Sequence, residues 1–300
     1  MTHSTSNPDE RPRLVIVGEL ATQNQTLAFF ALTLAVTWAL WIPAAVGLVG
    51  DSPVVSNGLF FLGAFGPPVA AVAVTWLTGR RVWPFLVGAL RPRVSPRWYL
   101  LAVVLPIAYF AVPNAVVYAA LGRSLDPALL PGRFVAFLVG VAVVALVGGG
   151  QEELGWRGFA LPRLQSDYGP VGATLVVGVV WACWHLPLSL TGWRSANVPF
   201  PAYLLMVVGM AFFFTWLYNV SGSVLVAIVL HGAQNAANGL LPVQGSEALT
   251  APFPLPVLVA QVVGVWVPVA VLLWVVGPSL GFDGETGDAP AVSSGDPNTA

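Results

Sequence analysis

The chain has 300 residues, of which 57% are hydrophobic and only 8% charged. A soluble domain carries roughly 25% charged residues, so this inventory cannot cover a water-facing surface and the chain reads as an integral membrane protein. The net charge of −1 excludes a basic footprint for nucleic acid. The single cysteine, Cys183, excludes a disulfide framework and reads as a small apolar filler.

Residues 1–25 are polar and mixed in charge, without the basic-then-apolar layout of a cleaved signal peptide. They form a cytoplasmic segment, and His3 within it is set aside. Apolar stretches follow, each measured against the ~20 residues that a spanning helix needs. They predict helices over Leu27–Val49, Gly58–Leu77, Trp98–Leu121, Phe134 to beyond Gly150, Val171–Leu190, Ala202–Val220, Ser223–Leu240 and Leu255–Val276. The expected fold is an all-α, polytopic membrane bundle of about eight helices over 26–280, with an intramembrane cavity and a motif core over 148–238. Residues 281–300, rich in Asp, Gly, Ser and Pro, predict a disordered acidic tail. The interior prolines (Pro43, Pro67, Pro68, Pro106, Pro113, Pro268) are tolerated where neighbouring helices satisfy the freed backbone groups.

Arginine in short loops sets the orientation. Arg80, Arg81, Arg91, Arg93 and Arg97 form the strongest basic cluster and predict a cytoplasmic loop, with both termini cytoplasmic and the protein in the cell membrane. Asp51 and Glu247 then fall outside; Arg123, Arg133 and Arg194 count against this topology but are outnumbered.

The fourth apolar stretch is the informative one. Phe134–Val147 spans only about 21 Å at 1.5 Å per residue, too short for a hydrocarbon core of about 30 Å. The helix is therefore expected to continue through Gly148, Gly149 and Gly150 and carry Glu152, Glu153 and Arg157 to membrane depth. Ionisable groups there are costly and default to a functional reading; the competing reading is a solvated cytoplasmic loop. Glu153 and Arg157 stand at i,i+4 with the acid first, the orientation of a helical ion pair. Glu152 lies about 100° round the helix without that partner, which leaves it for general-base work.

The remaining histidines sit in apolar surroundings: His185 with Trp181 one turn before it, and His231 with Asn235 one turn after it. Gly232, Ala233, Ala236 and Ala237 allow close helix approach around His231. No nucleophile stands out, which leaves water as the attacking group. Glu152 with His185 could deprotonate a water while His231 and Asn235 stabilise an oxyanion. Alternatively, Glu152, His185 and His231 could hold zinc with water in the fourth position. The sequence leaves both open, and both predict hydrolysis of an acyl bond.

These residues resemble the CPBP family of intramembrane proteases, which contains the type II CAAX prenyl endopeptidases and the bacteriocin-processing enzymes. The family pattern is E-E-x-x-x-R, then F-x-x-x-H, then H-x-x-x-N/D. Here it reads Glu152-Glu153 to Arg157, Trp181 to His185, and His231 to Asn235, in the family's order and spacing. Trp181 departs from the family's Phe and enlarges the aromatic beside His185. The resemblance implies a membrane-embedded protease of CAAX prenyl protease type, with a cavity open to the cytosol and a membrane-associated peptide or protein as substrate. It implies that Glu152 and His185 activate water and that His231 and Asn235 stabilise the oxyanion, with Glu153, Arg157 and Trp181 in support. Some relatives act in bacteriocin self-immunity without shown proteolysis, so a non-catalytic scaffold is the alternative. A proton-coupled transporter is a weaker one, since no internal repeat is found.

One expectation conflicts with the rest. Counted from the cytoplasmic ends, His231 lies about 12 Å deep, His185 about 21 Å, and Glu152 near the surface. For these to meet, the fourth helix must start later or the fifth must begin near Tyr168, Gly169 and Pro170.

Overall fold

The computed structural model describes residues 22–50, 52–90, 92, 94–190, 198–241 and 255–284. His3, Asp51, Arg91, Arg93, Arg194 and Glu247 lie outside the described residues, as do most of the N-terminal segment and the tail. Among the described residues the chain is helical, with no sheet.

Helix α1, Gln25–Ala45, starts where the side chain of Asn24 accepts the Leu27 N–H, satisfying a donor that the first turn would leave orphaned. The predicted second span is two helices, α2 (Pro53–Gly63) and α3 (Gly66–Leu77), bent by 42°. The break falls at Gly66, where a side chain would collide with Thr37 of α1. A short helix that the hydropathy pattern did not reveal, α4 (Val82–Ala89), buries none of its residues. Helix α5, Pro96–Ala120, carries a π turn over Ile107–Ala111. Helix α6 is Leu130–Val147, α7 is Leu161–Trp184, α8 is Phe200–Ser221, α9 is Val224–Ala237 and α10 is Leu255–Val276.

By length and composition five helices can cross a membrane, or six with α2 and α3 as one span, among the described residues. The bundle is therefore polytopic, and α7 and α9 complete it as helices that do not pass that test. Helix α8 is its axis, with an unbroken buried run from Met206 to Thr215. Helix α6 lies outside, with Phe137 its one buried residue.

Two expectations about helix limits are corrected. The fourth span does not continue into the acid pair. It begins earlier, running over Pro127–Val147 with its opening 3-10 turn, and is long enough to cross unaided. Arg133 is accommodated because it sits near the helix end and donates to the Gly239 carbonyl at 3.2 Å. After Val147 the chain turns at Gly149 (φ +133°) and folds back through a 3-10 turn (Gly150–Glu152), one α turn (Glu153–Gly155) and a π turn (Trp156–Ala160) into α7. The acids are thus inward because the chain re-enters the bundle. The fifth helix is broken at Gly169 (φ 66°, ψ 172°), next to Pro170, as one of the two depth alternatives required.

Candidate active site

The re-entrant segment is packed from all sides. Gly155 faces Pro67 of α3 closely enough that a side chain would fall 2.7 Å from it. Gly232 of α9 meets the Val141 carbonyl of α6, where a Cβ would lie 2.5 Å away, so the small residues around His231 do bring two helices together. The result is burial: Glu152, Glu153 and Arg157 are all buried, and the solvated-loop reading of this segment is set aside.

The two acids meet different partners. Glu153 Oε2 accepts from Arg157 at 2.8 Å, the ion pair expected from their spacing, and its Oε1 lies 2.8 Å from His231 Nδ1. The Arg157 guanidinium lies over the rings of both Trp181 and Phe214, at 4.8 and 4.3 Å from their centroids. Among the described residues its Nε and remaining amino group make no hydrogen bond, and the rings supply the other half of its electrostatic environment there. Among the described residues Glu152 forms no salt bridge. Its Oε2 accepts from the indole N–H of Trp181 at 2.9 Å and more distantly from that of Trp156 at 3.4 Å.

His185 caps the C-terminal end of α7, where its interior placement had been expected. Its Nδ1 lies 2.9 Å from the Trp181 carbonyl. A carbonyl only accepts, so Nδ1 carries the proton and Nε2 is left as the reactive nitrogen. The same logic holds at His231: Nδ1–H donates to the carboxylate of Glu153, and Nε2 faces the turn at Gly149. A side chain on Gly149 would lie 2.6 Å from that nitrogen, which is why glycine stands there. Asn235, one turn further on α9, is exposed, and its side chain makes no hydrogen bond among the described residues.

Trp181 joins these parts. Its ring centroid is 6.3 Å from that of His185 and 5.5 Å from that of His231. Behind His185, Trp184 packs edge-on at 4.5 Å and Tyr203 at 5.6 Å. Trp184 is held in turn by a hydrogen bond to Thr37 of α1. Trp156, Phe214 and Gly149 escape sequence reasoning, although Trp156 stands four residues after Glu152 as Arg157 does after Glu153.

Among the described residues no group of three or more His, Cys, Asp or Glu side chains is arranged to hold a metal ion.

Residues 133–237 match the family model described as type II CAAX prenyl endopeptidase Rce1-like. That range contains all three motifs. Over 159 residues the chain is also 26% identical to a CAAX prenyl protease 2 of Methanococcus maripaludis, the match covering 46% of this chain. It covers 57% of that relative, so the chain spans little more than half its length. The CPBP resemblance carried by the motifs is thus supported by two comparisons.

Proposed function

We propose that this chain is an intramembrane endopeptidase that hydrolyses a peptide bond with an activated water, and that its substrate is the C-terminal segment of a membrane-associated, prenylated protein. The observation that carries the reading is the gathering of Glu152, His185 and His231 around Trp181, with an unpaired carboxylate on one side and a carboxylate-backed imidazole on the other. The family match and the named relative supply the substrate class.

In this reading Glu152 and His185 Nε2 share a water, and Glu152 accepts a proton as the water oxygen attacks the scissile carbonyl carbon. The carbonyl becomes a tetrahedral oxyanion. His231, with Nδ1–H already committed to Glu153, donates from Nε2 only as the imidazolium, and the Glu153 carboxylate supports that charge. Asn235 offers its free amide N–H as a second donor. As the C–N bond breaks, the proton taken by Glu152 passes to the departing amine. The arginine-rich loop with Arg80, Arg81 and Arg97 supports an entrance to the site on the cytoplasmic side of the cell membrane.

The test is cleavage by the full chain, reconstituted in lipid, of a prenylated peptide with a CAAX-like end, with the released residues identified by mass spectrometry. Alanine at Glu152, His185 or His231 abolishes release if the chain is an enzyme. A scaffold or immunity protein tolerates all three changes, and that result overturns the reading. Cleavage that survives thorough chelation removes the zinc arrangement.

A further inference from the structure

We propose that Trp181 is a positioning residue that aims both members of the water-activating pair, an inference that rests on the function proposed above. A tryptophan on the inner face of a helix is ordinarily packing, and its ring does pack here. Three further contacts go beyond packing. The indole N–H donates to Glu152 Oε2 at 2.9 Å, and both residues are buried. The main-chain carbonyl of the same residue receives Nδ1–H of His185 at 2.9 Å. The ring neighbours the imidazoles of both His185 and His231, at 6.3 and 5.5 Å between centroids.

The chemistry of the donor is the point. A buried carboxylate with no partner is costly, and a cation against it would hold its lone pairs in an ion pair. A neutral indole N–H satisfies one oxygen and fixes the carboxylate plane without bringing a charge. Glu152 Oε1, which makes no hydrogen bond among the described residues, is then the oxygen presented to water. Phenylalanine, the residue of the CPBP motif at this position, could keep a ring beside the histidines but has no N–H to give. The tryptophan therefore adds a function to the position as well as bulk.

The experiment separates the N–H from the ring. Trp181→3-benzothienylalanine, introduced by codon suppression, replaces the N–H with sulfur at nearly constant shape; Trp181→Phe is the genetic counterpart. The first readout needs no substrate: the rate at which dicyclohexylcarbodiimide, a probe of membrane-embedded carboxyls, labels Glu152 in the reconstituted chain, followed by mass spectrometry of that peptide. The labelling rate rises about tenfold when the N–H is lost, the scale of one hydrogen bond to a charged group. The second readout is peptide cleavage: kcat falls about tenfold with KM unchanged, and no further loss appears when the change is added to Glu152→Gln. Unchanged labelling in the benzothienyl variant overturns the proposal, as does a rise in KM in place of the fall in kcat. If the wild-type chain cleaves nothing, the proposed function fails, and the labelling rate still decides the role of Trp181.

Discussion

Glu152 and Glu153 are neighbours in the chain, both buried, and each faces a residue four positions on. On one side of the segment Glu153 meets Arg157 and His231 and forms a charged chain closed by the faces of Trp181 and Phe214. On the other, Glu152 forms no salt bridge among the described residues, and its hydrogen bonds there come from neutral indole donors. The same side-chain type is thus a fixed counter-ion in one place and a carboxylate without a salt bridge in the other. Burial alone does not mark a carboxylate as reactive; the charge of its partners decides.

That comparison breaks first at Glu152. Glu152→Gln keeps the acceptor oxygen for the indoles, so the fold survives, while peptide cleavage falls roughly 10²–10⁴-fold, the range of a positioned general base. A variant that keeps full cleavage would put the two acids on an equal footing. Glu153→Gln has the opposite signature: it leaves the fully buried Arg157 without its counter-ion, and breaking such a pair costs about 3–5 kcal/mol. Its thermal unfolding midpoint in detergent drops by many degrees, and cleavage fails because His231 loses its backing. If the midpoint holds, the charged chain is not a brace. Asn235→Ala tests the free donor and lowers kcat roughly 10²–10³-fold at constant KM if the amide meets the oxyanion; steady-state kinetics on the same peptide read it.

Much of this contrast was legible in the sequence, and the missing parts have physical causes. The i,i+4 spacing announced the Glu153–Arg157 pair, because helical geometry fixes that distance locally. The bond from His231 to Glu153 joins residues 78 apart, and no local rule predicts it. Trp181 was expected in support beside His185, but the bond from its indole to Glu152 joins residues 29 apart and no local rule predicts it, and Trp156 was not singled out at all. Apolar length located the spans but not their surroundings: α6 and α8 pass the same test, yet one buries only Phe137 and the other forms the axis of the bundle. The start of α6 was missed because Pro131, Gly132 and Arg133 look like loop, whereas a proline in the first turn is tolerated where no N–H is needed. Gly149, read as part of a continuing helix, is the residue whose positive φ turns the chain inward. With that turn the depth conflict disappears, since Glu152 is carried into the bundle without any span being extended.

The smallest expected effect sharpens the Glu152 side. Trp156 and Trp181 both address Oε2, at 3.4 Å and 2.9 Å, and the longer contact lies beyond the usual N–H···O range. Trp156 is also fully buried, edge-on to Phe29 at 5.6 Å and to Trp184 at 6.1 Å. Its substitution therefore acts mainly on packing. Trp156→Phe lowers stability by about 1–3 kcal/mol through the space left behind, while kcat measured well below the unfolding midpoint changes only about twofold. Trp181→Phe should do the reverse, with the larger change in kcat. Paired thermal scans and cleavage kinetics on the two variants decide the matter. Equal losses of kcat would mean that both indoles hold Glu152 alike, and the base would then be set by a symmetric cradle instead of by one short hydrogen bond from α7.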